Sequence, residues 1–131
     1  METKTAKTLL LSGREDHPWS KHLRAAVEDL GMKLVIAGEA TINDLPWDEY
    51  DLVILDAGAT SNAPEAISQV LGRNPSALVV VFSSSPTWEQ AREMFLAGAV
   101  DYAPKILEHA RIHAVIKNVL SKQTQKRRKT D

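Results

Sequence analysis

Three residues with chemically different side chains each come directly after a hydrophobic run. Asp56 follows "DLVIL", Ser83 follows "ALVVVF", and Lys105 follows the short run that ends at Pro104. A carboxylate, a hydroxyl and an ammonium group could together form one ligand site. Taken singly, each also has a structural interpretation: Asp56 caps the following loop, Ser83 bonds to the backbone, and Lys105 is solvated. The fold decides between these interpretations, because it decides whether the three groups meet.

Other kinds of site chemistry lack support in the sequence. The chain has no cysteine, which excludes disulfides, thiolate nucleophiles and sulfur-ligated metals. His109 and His113 have the four-residue spacing that can present two imidazoles to one metal, but no third ligand accompanies them, so surface positions are expected. Nucleotide-binding and hydrolase motifs such as Gly-x-Gly-x-x-Gly and Gly-x-Ser-x-Gly do not occur. Nucleotide-dependent and hydrolytic enzymes therefore have no motif in their favour, and we do not expect the chain to be an enzyme.

The elements that position the three residues follow from hydrophobic patterning. Continuous apolar runs predict five buried strands, and apolar residues at helical spacing, bounded by Pro and Gly, predict a helix after each. The predicted strands are 8–12, 34–37, 51–56, 77–84 and 100–103, and the predicted helices are 18–31, about two turns around 39–45, 63–72, 86–98 and 107–121. This alternation predicts a doubly wound α/β sheet of parallel strands, where ligands bind beyond the carboxyl ends of the strands.

Length, composition and charge indicate one folded domain. The chain has 131 residues, of which 44% are apolar and 25% charged, as in ordinary globular proteins. Residues 122–131 hold five cations and one anion, which leaves 11 positive and 16 negative side chains in residues 1–121. We expect a domain over 1–121 and a basic tail, or the start of a linker, over 122–131. An acidic body disfavours nucleic acid as a partner, and the short apolar runs disfavour membrane insertion, so a cytoplasmic location is expected.

Two longer stretches resemble a known family. "YDLVILDAGAT" is similar to the phosphoacceptor strand of the receiver domains of response regulators in two-component systems. "LVVVFSSSPTWEQAREMFLAGAVDYAPK" is similar to the family's segment from the fourth strand to its lysine. The resemblance covers roughly residues 7–121. It implies a flavodoxin-like (βα)5 fold with five parallel strands in the order 2-1-3-4-5.

The resemblance also implies a phosphoacceptor site. It makes Asp56 the acceptor of a phosphoryl group from a histidine kinase, a phosphotransfer protein or a small phosphodonor, with Lys105 in contact with the phosphoryl group and Ser83 donating a hydrogen bond to it. Ser83 and Tyr102 would be the switch residues. They would alter the face formed by the fourth helix, fifth strand and fifth helix, which binds an output protein or a second copy. The implied function is phosphorelay signalling through a phosphorylated receiver.

The first loop departs from the family pattern. Gly13 and Arg14 occupy the positions of the acidic pair that holds Mg²⁺ in the family, and Glu15 follows at a position that is often acidic. The remaining metal ligands would be Asp56, the Gly58 carbonyl and Glu15, and arginine supplies no oxygen to them. A two-residue shift of the loop could restore acids, but it needs a bulge that nothing in the sequence requires. We therefore expect any Mg²⁺ binding to be weak.

Arg14 leaves three alternatives open. Its guanidinium could pair with Asp56 and replace part of the metal's charge, so that phosphorylation proceeds weakly or without Mg²⁺. Arg14 and Lys105 could instead lock Asp56 in one conformation, which would make the chain a pseudo-receiver, a protein interaction module that works without phosphorylation. Arg14 could also point to solvent. A flavodoxin-like enzyme or flavin carrier is disfavoured, because "SGREDHPW" has one glycine and two acids where a flavin phosphate would bind.

Two further expectations concern the later part of the chain. The family usually has a proline after the lysine, often with a cis bond, whereas Ile106 follows Lys105 here. A trans bond is expected, because a cis bond before a residue other than proline would cost about 3 kcal/mol. Trp88 and Phe95 recur at helical spacing and are expected in the core, while Tyr102 is the residue expected to act as the switch aromatic.

Overall fold

The structure is a computed structural model that describes residues 7–11 and 18–130, with the backbone alone described at 39–40 and 123–130. Its strands are β1 (Lys7–Leu11), β2 (Lys33–Ala37), β3 (Tyr50–Asp56), β4 (Leu78–Ser83) and β5 (Asp101–Pro104), and its α-helices are α1 (Pro18–Asp29), α2 (Ala63–Arg73), α3 (Trp88–Ala97) and α4 (His109–Thr130). All neighbouring strands are parallel, in the order β2-β1-β3-β4-β5. The predicted α/β fold and strand order are confirmed.

The segment between β2 and β3 contains the predicted short helix around residues 39–45, and its turns are 3₁₀. It forms two 3₁₀ helices, Glu39–Asp44 and Trp47–Glu49. Pro46 separates them, and the indole Nε1 of Trp47 donates a hydrogen bond to the Ile42 carbonyl oxygen at 2.6 Å. This buried hydrogen bond connects the second 3₁₀ helix to the first. Pro46 has no backbone N–H, so it cannot donate the hydrogen bond that a continuous α-helix would need. Of the five predicted helices, four are α-helices and this one is 3₁₀ in the part of the chain that the structure describes.

Two other helix boundaries differ from the prediction. The fourth predicted helix, α3, begins at Trp88 rather than at Pro86, because Thr87 is its N-cap and its side-chain oxygen accepts a hydrogen bond from the Gln90 backbone N–H at 3.1 Å. The last helix, α4, begins at His109 and continues to Thr130, past the expected end at residue 121. None of the helices in the described ranges has the length and apolar composition needed to cross a membrane.

The core has two layers, one on each face of the sheet. Side chains alternate along the strands, so β1, β3 and β4 bury residues on both faces. One layer contains Leu9, Leu11, Val53, Leu55, Val79 and Val81. The other contains Leu10, Trp19, Ile54, Val80, Phe82 and Ile116. The second layer brings the start of α1 close to the carboxyl end of β4, where the indole ring of Trp19 lies 5.1 Å from the ring of Phe82.

Gly98 ends α3 in a conformation that favours glycine. Its φ is +120°, and its N–H donates to the Phe95 carbonyl oxygen at 3.1 Å. A Cβ atom at this position would lie 2.3 Å from Cδ1 of Leu71 in α2. Glycine therefore both ends the helix and allows α3 to approach α2.

Candidate functional site

The carboxyl ends of three adjacent strands form the candidate site. β3 ends at Asp56, β4 ends at Ser83, and Lys105 directly follows the end of β5. Asp56 pairs in register with Phe82, and Ser83 pairs with Pro104. The parallel register therefore places the three predicted site residues at the same edge of the sheet.

Asp56 has hydrogen-bonding partners for both of its carboxylate oxygens. Oδ1 accepts a hydrogen bond from the Gly58 backbone N–H at 3.1 Å, and Oδ2 lies 2.7 Å from Nζ of Lys105. The Thr60 hydroxyl donates to the Asp56 backbone carbonyl at 2.8 Å, which closes the short loop that follows β3. Asp56 thus caps this loop, as its structural interpretation predicts, and the same carboxylate also meets a cation.

Lys105 forms a buried ion pair with Asp56. Its side chain is 15% exposed and that of Asp56 is 8% exposed, so the structure disfavours the interpretation of Lys105 as a solvated lysine. The Lys105 backbone N–H donates to the Ser83 carbonyl at 2.8 Å, and Nζ also lies 5.0 Å from the ring centroid of Trp19. No described peptide bond is cis, so the expected trans bond between Lys105 and Ile106 is confirmed.

Ser83 is buried, and its hydroxyl contacts backbone. Its Oγ accepts a hydrogen bond from the Ser85 backbone N–H at 3.2 Å. This contact agrees with the structural interpretation of the residue. Because Oγ is the acceptor in this contact, the contact does not use the hydroxyl proton.

Tyr102 joins β5 to the beginning of α3. Its hydroxyl donates a hydrogen bond to Oε1 of Gln90 and accepts one from the Thr87 backbone N–H at 3.4 Å. Thr87 is the N-cap of α3, and Gln90 lies in its first turn. The predicted switch aromatic is therefore hydrogen-bonded to the helix whose position it is expected to influence.

Solved structures of response regulators share this arrangement of strands and helices. A response regulator from Thermotoga maritima superposes with a TM-score of 0.77 at 21% identity, over 90% of this chain and 99% of that one. A CheY-like receiver domain protein from Methanospirillum hungatei gives 0.75 at 16% identity, over 94% and 99%. The chain has the receiver fold.

A longer protein contains the same fold. NtrX from Brucella abortus superposes with a TM-score of 0.77 at 22% identity, and the match covers 98% of this chain but 29% of NtrX. No protein family model matches the sequence, and no curated protein matches it. The likeness therefore rests on the receiver fold and not on overall sequence similarity.

Three residues of the predicted metal pocket, Gly13, Arg14 and Glu15, lie outside the described residues, so their roles stay predictions. Of the other predicted ligands, Asp56 has an ammonium group on Oδ2 and a backbone N–H on Oδ1. Residues 7–11 and 18–130 contain no cluster of three acidic, histidine or cysteine side chains suited to a metal. Mg²⁺ requires several oxygen ligands in octahedral order, and of the predicted ligands the structure describes only Asp56 and the Gly58 carbonyl, so weak Mg²⁺ binding stays a prediction.

The two histidines of α4 lie where a surface helix meets α1. The rings of His109 and His113 are 6.0 Å apart, and Nε2 of His109 lies 2.8 Å from Oδ2 of Asp29. The side chains of His109 and Asp29 are both more than two-fifths exposed. This agrees with the surface positions expected for the histidines.

The exposed side of α3 corrects a prediction about the core. Trp88 is 80% exposed and Phe95 47% exposed, so neither is a core residue. Met94 is the buried residue of this helix. It lies about 120° around the helix axis from Trp88 at 100° per residue, so the aromatic residues occupy another side. The receiver fold thus leaves an apolar surface on α3.

Two residues at the site have contacts that the sequence does not reveal. Trp19 recurs with Leu23 and Val27 at helical spacing, which predicts a core residue and says nothing of Lys105. Gln90 has no feature that distinguishes it from other polar residues on a helix. The contact of Trp19 joins elements far apart in sequence, and that of Gln90 joins the consecutive elements α3 and β5. Both depend on how the helices pack against the sheet in the receiver fold.

Proposed function

We propose that this chain is an atypical receiver domain that takes a phosphoryl group on Asp56 and relays it as a conformational change. The buried pair of Asp56 and Lys105 is the observation that carries the proposal. A carboxylate beside a cation at the carboxyl edge of a parallel sheet is suited to a reaction in which negative charge must be offset. The receiver fold of the response regulators that the chain resembles supports the same role.

The proposed transfer uses groups of this chain. One carboxylate oxygen of Asp56 forms a bond to phosphorus while the bond from phosphorus to the imidazole nitrogen of a phosphohistidine breaks, and its electron pair stays on that nitrogen. Lys105 offsets the charge of the phosphoryl oxygens, and the Ser83 hydroxyl donates a hydrogen bond to one of them. The product is an acyl phosphate on Asp56. The first loop is expected to bind Mg²⁺ weakly, so we assign no step to that ion.

The partners follow from this reaction. A histidine kinase or a phosphotransfer protein supplies the phosphoryl group. The chain then acts in the cytoplasm as a signalling domain and not as an enzyme. The output surface is formed by α3, β5 and α4. Tyr102 lies in β5, and its hydroxyl donates a hydrogen bond to Gln90 of α3. NtrX extends well beyond its matched part, so we propose that this surface acts on an output protein or domain, or on a second copy.

An alternative is a pseudo-receiver that binds a protein without phosphorylation. The specific observation in its favour is that both oxygens of Asp56 are engaged, one by Lys105 and the other by Gly58. In this role the ion pair holds one conformation, and the apolar side chains of α3 provide the contact surface.

Intact mass spectrometry separates the two functions. Incubation with acetyl phosphate should add the mass of one phosphoryl group to the wild-type chain and none to Asp56→Asn. Asp51→Asn, which changes an exposed acid on the same strand, should still gain it. Parallel incubations with Mg²⁺ and with a chelator, in wild type and Arg14→Ala, test the surrogate-cation alternative for Arg14. No mass gain from acetyl phosphate or a phosphohistidine donor would favour the pseudo-receiver.

A further inference from the structure

Trp19 lies in the first turns of α1, directly against the ammonium group of Lys105. It is 1% exposed, and its ring packs against Phe82 at 5.1 Å with the planes inclined by 59°. Phe82 pairs in register with Asp56. A residue of the first helix is therefore fixed beside the ends of β3 and β4, and its ring centroid is 5.0 Å from Nζ of Lys105.

The backbone of Lys105 does not by itself determine where the side chain points. The Lys105 N–H donates to the Ser83 carbonyl at 2.8 Å, which fixes the main chain. Four side-chain torsions remain free, and a lysine ammonium is a point charge on a flexible stem. Asp56 contacts Nζ at 2.7 Å, and the indole ring provides the second contact. Removal of either contact should let the ammonium group sample more positions.

We propose that Trp19 is a positioning residue that holds the Lys105 ammonium at Asp56 through a cation–π contact. An indole face attracts a cation within about 6 Å of the ring centroid, and tryptophan is the strongest of the aromatic residues in this respect. The inference rests on the proposed function in one respect, because the benefit to phosphoryl transfer depends on Asp56 being the acceptor. The contact itself does not depend on that role.

The positioning matters because the charge at Asp56 changes during transfer. When a phosphoryl group joins Asp56, the carboxylate loses its negative charge, and the ammonium group must move to the phosphoryl oxygens. An indole face has no fixed hydrogen-bonding direction, so it can retain the cation over a small displacement. Trp19 keeps Lys105 within reach of both the free carboxylate and the phosphorylated one.

The first experiment detects the contact without any phosphorylation. The ε-methylene protons of Lys105, identified by their loss in Lys105→Met, should be shifted upfield in the NMR spectrum by the indole ring current. Trp19→Leu should return these resonances to the usual lysine position, and Trp19→Phe should shift them to an intermediate one. Trp47→Phe is the matched control, because it removes another buried tryptophan outside the site and should leave the Lys105 signals unchanged.

The second experiment measures the effect on phosphoryl transfer. The rate of mass gain with acetyl phosphate should fall about five- to tenfold in Trp19→Leu and about twofold in Trp19→Phe, in the order of their cation–π strengths. In a Lys105→Met background, Trp19→Leu should change the remaining rate by less than about twofold, because the cation it positions is gone. Thermal unfolding of each variant establishes that folded chains are compared.

Several outcomes would overturn the proposal. An equal loss of rate from Trp19→Leu with and without Lys105 would mean that the ring acts through packing alone. Lysine resonances that stay in place in Trp19→Leu would also refute the contact. If Trp19→Leu does not fold, Trp19→Phe and Trp19→Met carry the same comparison. If the wild type gains no phosphoryl group, the proposed function fails, and the Lys105 resonances alone decide whether Trp19 positions the lysine.

Discussion

At the scale of single residues, the pair of Asp56 and Lys105 combines a structural and a functional demand. Both side chains are largely removed from water, so each charge depends on the other for compensation. The attraction between buried charges offsets the cost of their desolvation only while both are present. The pair therefore contributes to the unique geometry of the site more than to net stability, and the loss of one member is worse than the loss of both.

The pair should show this asymmetry in stability measurements. Lys105→Met should lower the free energy of unfolding by about 3 kcal/mol, because it leaves the Asp56 carboxylate buried without a cation. Adding Asp56→Asn to this variant should restore most of the loss. Urea unfolding measures the free energies of both variants. Lys117→Met, which changes an exposed lysine of α4, is the control and should change stability by less than about 0.5 kcal/mol. A double variant less stable than Lys105→Met would contradict the argument.

At the scale of elements, the hydroxyl of Tyr102 connects β5 to α3. The contacts reach the N-cap residue Thr87 and the first-turn residue Gln90. A change in the position of Tyr102 must break or move these hydrogen bonds, so the first turn of α3 responds to it. The exposed Trp88 lies in the same turn, so a movement of that turn changes the surroundings of its indole ring.

A double-mutant cycle should reveal the connection. Tyr102→Phe and Gln90→Ala should each cost about 1 kcal/mol, with a coupling free energy of about 0.5–1 kcal/mol between them, because each removes the same hydrogen bond. Urea unfolding followed by circular dichroism provides the values. Gln69→Ala on α2, also a change of glutamine on a helix, should show no coupling to Tyr102→Phe. Strictly additive effects of the first two variants would rule out the connection.

The junction of α2 and α3 should depend on the glycine that ends α3. Gly98→Ala should lower the free energy of unfolding by about 1–3 kcal/mol, because φ is +120° and the new methyl group would meet Leu71. Gly72→Ala is the matched change in α2, where a Cβ atom would meet nothing within 4 Å. It should raise stability by about 0.5–1 kcal/mol. Thermal or urea unfolding of both variants compares them, and a neutral Gly98→Ala would refute the steric argument.

At the scale of the whole molecule, a ligand at one edge of the sheet should stabilise the entire domain. Two of the strands that carry the site, β3 and β4, also bury side chains on both faces of the sheet. Unfolding of a domain of this size is usually cooperative. Any group that binds the folded chain alone adds to the free energy of unfolding by mass action. The site can therefore be titrated through global stability.

Beryllofluoride, a mimic of a phosphoryl group, should raise the stability of the wild type. At a concentration of about 100 times its dissociation constant the gain should be about 2.7 kcal/mol. Thermal unfolding should show this gain in stability for Asp51→Asn but not for Asp56→Asn. Because Arg14 is expected at a position of the acidic pair, the gain should change little when a chelator replaces Mg²⁺. A gain that requires Mg²⁺ would show that the first loop supplies ligands after all.

Much of the fold could be predicted because its strands have simple hydrophobic patterns. Runs such as "DLVILD" and "ALVVVFSS" are apolar on both faces, which is specific to strands buried between helices. The helix type between β2 and β3 was harder to predict, because a short helical pattern does not distinguish 3₁₀ from α turns. The sequence also does not show that the Trp47 indole donates to the Ile42 carbonyl oxygen. Periodicity also misplaced Trp88, since it finds the apolar sides of a helix but not which side meets the sheet.

The candidate site could be predicted in part for a similar reason. Asp56 and Lys105 follow strands, and strand ends meet at one edge whatever the details of the loops. The contacts of Trp19 with Lys105 and of Gln90 with Tyr102 depend on where α1 and α3 lie against the sheet. No local pattern encodes that placement. The roles of Gly13, Arg14 and Glu15 stay predictions, because these residues are outside the described ranges.

The strand order also bears on how the chain avoids aggregation. β2 and β5 are the two edges of the sheet, and the long apolar β3 and β4 lie inside it. β2 begins with the exposed Lys33, while β5 has four residues and ends at Pro104, which has no N–H to offer another strand. Short edges with lysine and proline are poor templates for intermolecular pairing. The segments most able to form fibrils are thus accessible only after the domain unfolds.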